Sequence, residues 1–294
     1  MSRFLLPALV LALVGADARA GDKPKLRVGI PRSIFRDIPP ALLTFANQPF
    51  KDIIRTQTGF EGDVVNDAEA LNIARDLDAG KVQLAVFLGH EFAWAQQKYP
   101  DLEPLLCSVP RPKEIQAFIL VRHDCKAVHL GEMKGQRLVL ATGTRDHARL
   151  FLEKRQVDEM GTMTGFCSLS KTGTVHDALH KLIDNEADVT VADQAAWRYF
   201  QKLYPGAAQN LKVLAESSVF PATVIAYKKG ALTDDQLGKV RDGLMTAHQS
   251  KQGGRLMGMI KVDKFDRLPD GYGDAVKACL KSYPVPPTDW AADK

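Results

Sequence analysis

One short stretch holds the densest chemistry in this chain. Thr142-Gly-Thr-Arg-Asp-His147 is a polar turn between the apolar run Arg137 to Ala141 and the helical pattern from Ala148 to Leu152. A helix start presents free N–H groups and partial positive charge, a ready anion site. Thr142 and Thr144 add hydroxyl donors there. Arg145 can grip an oxyanion with two parallel hydrogen bonds. Thr144 or Asp146 can also cap the helix. His176 opens another helical pattern after Thr172-Gly-Thr174 and can donate to an oxyanion from there. Asp193, after the run Val189 to Ala192, is the weakest candidate, because a carboxylate repels an anion unless it takes a proton or meets a cationic tail. Arg32, Ser33 and Phe35 follow the run Lys25 to Ile30, and Gly89-His90-Glu91 follows Val82 to Leu88. In open parallel sheets, ligands bind beyond the carboxyl ends of strands, which is where all these residues fall.

Other chemistries find little support. G-x-S-x-G is absent, as are the dinucleotide glycine fingerprint and the phosphate-binding P-loop, and Ser168-x-x-Lys171 stands without the other motifs of the serine enzymes that use it. His176 and His180 stand i, i+4, but Asp177-Ala-Leu between them is not the zinc-protease pattern. Cys107, Cys125, Cys167 and Cys279 form no C-x-x-C pair, and four cysteines allow 3 pairings. Trp94 and Trp197 read better as helix packing than as a cage for a cation. No cofactor and no catalysis are expected.

The elements that must position these residues read as α/β units. Ala70, Ile73, Ala74 and Leu77 have i, i+3, i+4, i+7 spacing, with Asp67 as a candidate cap and Gly80 as the terminator. Val82 to Leu88 is nearly all apolar, as strands buried on both faces are. The unit recurs: Ala178-Leu179, Val189-x-Val191-Ala192 and Trp197 match Ala70-Leu71, Val82-x-Leu84-Ala85 and Trp94. A further helix starts at Thr233, where Thr233-x-x-Gln236 is a capping box. Gln116 to Arg122 and Phe220 to Tyr227 read as strands passing between two lobes, with the crossings near Val121 to Asp124 and Phe220 to Thr223. Residues 21–121 and 221–294 then form the first lobe and 122–220 the second. Two such lobes can close on a ligand like a clamshell.

Composition is that of a globular chain: 45% hydrophobic, 25% charged, formal net charge +4. No dense basic run marks a nucleic-acid surface. The N-terminus has the layout of a secretory signal: Arg3, an apolar run from Phe4 to Val14, and Ala18-Arg19-Ala20 as the cleavage site. Processing after Ala20 predicts an exported, periplasmic protein with no membrane insertion and a monomeric state.

In order along the chain, several short motifs resemble the periplasmic substrate-binding proteins of ABC transporters for phosphate, phosphite and phosphonate. They are Lys25 to Ile30, Pro49-Phe50 to Gly59, Gly80-x-Val82-x-Leu84-Ala85, Leu130-Gly-Glu-Met-Lys-Gly135, Val175-His176-Asp177-Ala178 and Ser217 to Pro221. The resemblance implies a type II periplasmic-binding-protein fold with a small oxyanion held between the lobes and passed to a permease. The family's anion-binding Ser-Thr-Ser-Gly stretch is replaced here by Thr142-Gly-Thr-Arg145. A signalling or scaffold module of the same fold is the alternative.

Overall fold

The structure is a computed structural model that describes residues 25–36, 40–66, 68–162 and 164–286, with side chains described for all but 40–47 and 49. The expected signal segment and Asp67 lie outside the described residues. In chain order the first half runs β1 (Lys25–Gly29), α1 (Pro40–Thr58), β2 (Glu61–Val65), α2 (Ala70–Asp78), β3 (Leu84–Phe87), α3 (Gly89–Lys98), β4 (Leu102–Pro110) and β5 (Ala117–Arg122). The middle runs β6 (Arg137–Ala141), α4 (Asp146–Met160), β7 (Ser168–Thr172), α5 (Val175–Ile183), β8 (Val189–Asp193), α6 (Gln194–Leu203), the short α7 (Pro205–Ala208) and β9 (Leu211–Glu216). The chain then adds β10 (Val224–Lys228), α8 (Asp234–Thr246), α9 (Lys251–Met259), β11 (Val262–Asp266) and α10 (Tyr272–Ser282).

The strands form two sheets, in the orders β11-β4-β10-β3-β1-β2 and β7-β6-β8-β5-β9. Strand β1 pairs in parallel with β2 and β3, and β6 pairs in parallel with β7 and β8. The strands that follow a crossing, β5 and β10, run antiparallel to their neighbours. Each sheet is covered on both faces. In β3, Leu84 and Val86 enter one apolar cluster, while Ala85 and Phe87 enter the other. In β8, Val189 and Val191 face one cluster and Ala192 the opposite one. Adjacent side chains on a strand point to opposite faces, so a continuous apolar run serves two cores at once. Thr190, within that run, is fully buried and donates its hydroxyl to the Val139 carbonyl at 2.7 Å.

The first crossing differs from the sequence expectation. Strand β5 pairs with β8 and β9 from Ala117 onward, so it lies wholly in the second sheet. The chain therefore passes between the lobes through 111–116, not near Val121. The return passes through 217–223, and the two crossing segments touch through an antiparallel bridge between Ile115 and Phe220. An apolar run buried on both faces reads the same in either lobe, so the pattern marked a strand without marking its sheet.

The return crossing is packed hard against the start of α3. A Cβ added to Gly89 would lie 2.1 Å from the Pro221 carbonyl oxygen and 2.7 Å from the Pro221 Cβ. Only a glycine permits that approach. Behind the crossing, Phe220 stacks on Tyr283 at 4.8 Å, and Trp94 donates its indole N–H to the Tyr283 carbonyl at 2.8 Å. Leu150 of α4 joins this cluster from the second lobe.

Candidate functional site

The first-lobe wall is built where β1 and β3 end. A single 3₁₀ turn at Arg32–Phe35 follows β1 and brings Ser33 to the first turn of α3. The Ser33 hydroxyl donates to Glu91 Oε1 at 2.5 Å, and the Leu88 N–H donates to Glu91 Oε2 at 2.9 Å. Glu91 is only 3% exposed. Burial, aided by the charges of Asp146 and Glu69, pushes its carboxyl up to about 8 against the pull of those two hydrogen bonds. His90 is 2% exposed, edge-on to Trp94 at 5.0 Å and to Phe220 at 6.1 Å. Burial, with the nearby His147 adding to it, drops His90 to about 3, so its ring is neutral at physiological pH. Its Nε2 has no hydrogen-bond partner among the described residues.

The second-lobe wall is the turn from β6 into α4. Arg145 occupies the N-cap position with extended backbone, and its side chain makes no capping bond. The expected cap by Thr144 or Asp146 is thus not what the turn uses. Thr144 is 1% exposed, and its hydroxyl has no partner among the described residues. Asp146 reaches across the cleft instead: Arg36 Nε lies 2.7 Å from Asp146 Oδ1, an ion pair between the lobes. Burial raises the Asp146 carboxyl, while Arg36 and Arg149 oppose the shift. His147 is buried with its ring 5.4 Å from that of Phe220.

Between these walls lies a cavity of about 100 Å³. Ser33, Ser108, Thr223, Arg145 and His147 give it polar atoms, and Ile30, Phe35, Phe50, Val86 and Phe265 make most of the remainder apolar. Of the nine residues named from sequence, Ser33, Phe35 and Arg145 line the cavity. His90 and Thr144 are buried against the same walls. The other four are placed differently. Arg32 turns outward, with its side chain 63% exposed, and pairs with Glu69 at 3.1 Å. Thr142 donates its hydroxyl to the Gly173 carbonyl at 3.1 Å and opens onto a different cleft. His176 stacks on Tyr199 at 5.3 Å and sits edge-on to Phe200 at 5.8 Å, because the first turn of α5 lies against α6. Asp193 is the N-cap of α6, where its Oδ1 accepts from the Ala196 N–H at 3.0 Å, and it lines a small pocket at the crossings together with Arg145 and His147.

Arg36, Asp146 and His147 were not singled out for the ligand. The last two lie inside the Thr142 to His147 turn and were legible as candidates there. Arg36 carried no local signal, because its partner is in the other lobe. Among the described residues, no group of three or more His, Cys, Asp or Glu is placed to hold a metal ion. All four cysteines are free, with Cys107 and Cys279 buried.

The buried state of Glu91 sets a pH dependence. Between its ordinary 4.5 and about 8, the folded chain keeps a proton that the unfolded chain has released. Its contribution is greatest below the lower value and is lost as pH rises to the upper one, at no more than about 1.4 kcal/mol per pH unit. Below pH about 6.5 the neutral buried His90 acts with the opposite sign, so urea midpoints are expected to fall with pH from about 6.5 to 8. Glu91→Gln should flatten that fall; an unchanged slope in the variant would place the titrating group elsewhere.

Two α/β lobes joined by two crossing segments and closed over a cavity define a type II periplasmic binding protein, a class that captures solutes. A family model described as ABC transporter, phosphonate, periplasmic substrate-binding protein matches residues 34–270, and the chain belongs to that family. The family is one of transporter binding proteins, not enzymes, and it works in the periplasm with an ABC permease. Among solved structures, the chain is similar to XAC2383 from Xanthomonas citri bound to ATP, at 14% identity and TM-score 0.64, covering 88% of this chain and 96% of that one. It is similar to PhnD1 from Prochlorococcus marinus in complex with methylphosphonate, at 12% identity and TM-score 0.62, covering 87% and 97%. A binding protein component of an ABC phosphonate transporter from Pseudomonas aeruginosa aligns at 17% identity and TM-score 0.60, covering 89% and 87%. These identities carry the fold alone. No curated protein matches the sequence. Among the described residues, no helix is long and apolar enough to cross a membrane.

Proposed function

We propose that this protein captures a small oxyanion carrying a short apolar substituent, of the methylphosphonate or phosphite kind, and holds it between its lobes for a permease. One observation carries the reading. The start of α4, with no side-chain cap and with Arg145 and Thr144 beside it, opens onto a cavity that is otherwise mostly apolar. The helix dipole and Arg145 favour an anion at that end. The neutral His90 and the protonated Glu91 add no net charge to oppose it. At about 100 Å³, the cavity is smaller than the roughly 150 Å³ that accommodates benzene in an engineered core. A nucleotide does not fit, and among the described residues lining this cavity an aminoalkyl tail would meet no carboxylate.

Ser33, Phe35, His90, Thr144 and Arg145 form the proposed contact set. The lobes are residues 25–110 with 224–286, and 117–216, hinged at the two crossings. Calorimetry against phosphate, phosphite, methylphosphonate, 2-aminoethylphosphonate and sulfate tests the reading. Methylphosphonate or phosphite should bind most tightly. Heat from none of the five would favour a signalling or scaffold role. The protein is further proposed to act as a free monomer in the periplasm after cleavage at Ala20. N-terminal sequencing of the exported protein is expected to begin at Gly21, and a retained Met1 would contradict it.

A further inference from the structure

Beside the interlobe cavity lies a larger cleft of about 510 Å³, within the range typical of ligand pockets. It runs along the flank of α4, over the β6–β7 edge of the second sheet. Leu138, Leu152, Phe166 and Leu169 make its apolar floor. Leu169 lies on β7, an edge strand, and is 55% exposed, so its side chain lacks cover. Cations stand on the rim. Arg149 is fixed there by donating to the carbonyls of Thr144 at 3.2 Å and Thr142 at 3.4 Å. Arg36 reaches in from the first lobe, and Lys171 is exposed beside Leu169. Glu153, near Arg149, is the carboxylate among the described lining residues, and Asp146 stands behind Arg36 and Arg149.

We infer that this cleft is a second binding site, for a soluble amphipathic anion whose single charged head meets Lys171, Arg149 and Arg36 and whose alkyl chain covers the Leu169 floor. With Arg36 already paired to Asp146, Lys171 and Arg149 against Glu153 leave an excess of positive charge that favours an anionic head. The apolar floor gains by burying a chain. Because Arg36 belongs to the first lobe and the rest of the cleft to the second, an occupant touches both lobes. Its binding is then linked to closure, and the linkage is reciprocal.

The probe is sodium octanoate, titrated into the full-length exported protein and read by calorimetry. One site per chain is expected. Leu169→Glu and Lys171→Glu, both at exposed positions, should each weaken it at least tenfold without moving the heat of methylphosphonate binding. Sodium acetate should fail to compete. Octanoate affinity unchanged in both variants would overturn the proposal, as would equal competition by acetate. Binding to phosphatidylglycerol vesicles in the absence of any octanoate binding would also overturn it, in favour of a lipid surface.

Discussion

Replacing Arg36 by Ala is expected to open the molecule. Asp146 is 5% exposed at its side chain and would lose the cation that lies 2.7 Å away. Removing one partner of a buried ion pair typically costs 3–5 kcal/mol, because the other charge stays buried and uncompensated. Arg36 retains 29% exposure and Arg149 still acts on Asp146, which together place the effect at about 3 kcal/mol, the lower end of that range. Opening the lobes returns Asp146 to water, so the loss falls on the closed-to-open ratio, by roughly a hundredfold. Small-angle scattering should show a larger radius of gyration for Arg36→Ala than for the native chain. Adding Asp146→Asn to that variant removes the stranded charge and should restore most of the closed population. A radius unchanged by Arg36→Ala would mean that the pair does not hold the lobes together.

Arg145→Ala is expected to weaken oxyanion binding by ten- to hundredfold. The lost interaction is a charge-assisted hydrogen bond, worth about 1.5–3 kcal/mol. Arg145 lines the cavity at the uncapped start of α4, where the helix itself favours negative charge. The variant keeps the backbone N–H groups, so binding should be weakened and not abolished. Calorimetry with methylphosphonate reads it directly, and an unchanged affinity would move the anion away from this turn.

Local patterns were legible where the physics is local. Ile73, Ala74 and Leu77 recur at helical spacing and are all fully buried. The capping box read at Thr233 closes with the Gln236 side chain. Strand β4 was not legible, because Pro104 and Pro110 lower any strand reading. In the sheet, Pro104 stands opposite Ala226, beside a register shift, where the missing N–H is tolerated. The first crossing was misplaced because sheet membership depends on pairing with distant strands. The same ambiguity governed the site. A polar residue after a strand can serve a ligand, cap a helix or do both, and the spacing that marks Asp193 is equally that of the cap it forms. His176 has the expected place in sequence, but packing against α6 decides where its ring goes.

The cluster of Trp94, Leu150, Phe220 and Tyr283 lies behind the crossings, while the Arg36–Asp146 pair spans the cleft. It acts as a fulcrum. Groups near a pivot travel little when a lever swings, and groups far from it travel much. His90 and His147, both in ring contact with Phe220, are therefore nearly in place before the lobes meet. Asp146 adjoins His147 in the chain, so the Arg36–Asp146 pair also sits beside the pivot and need part only a little as the lobes swing. Changes at the pivot should then alter both how well the site fits its occupant and how firmly the lobes stay shut.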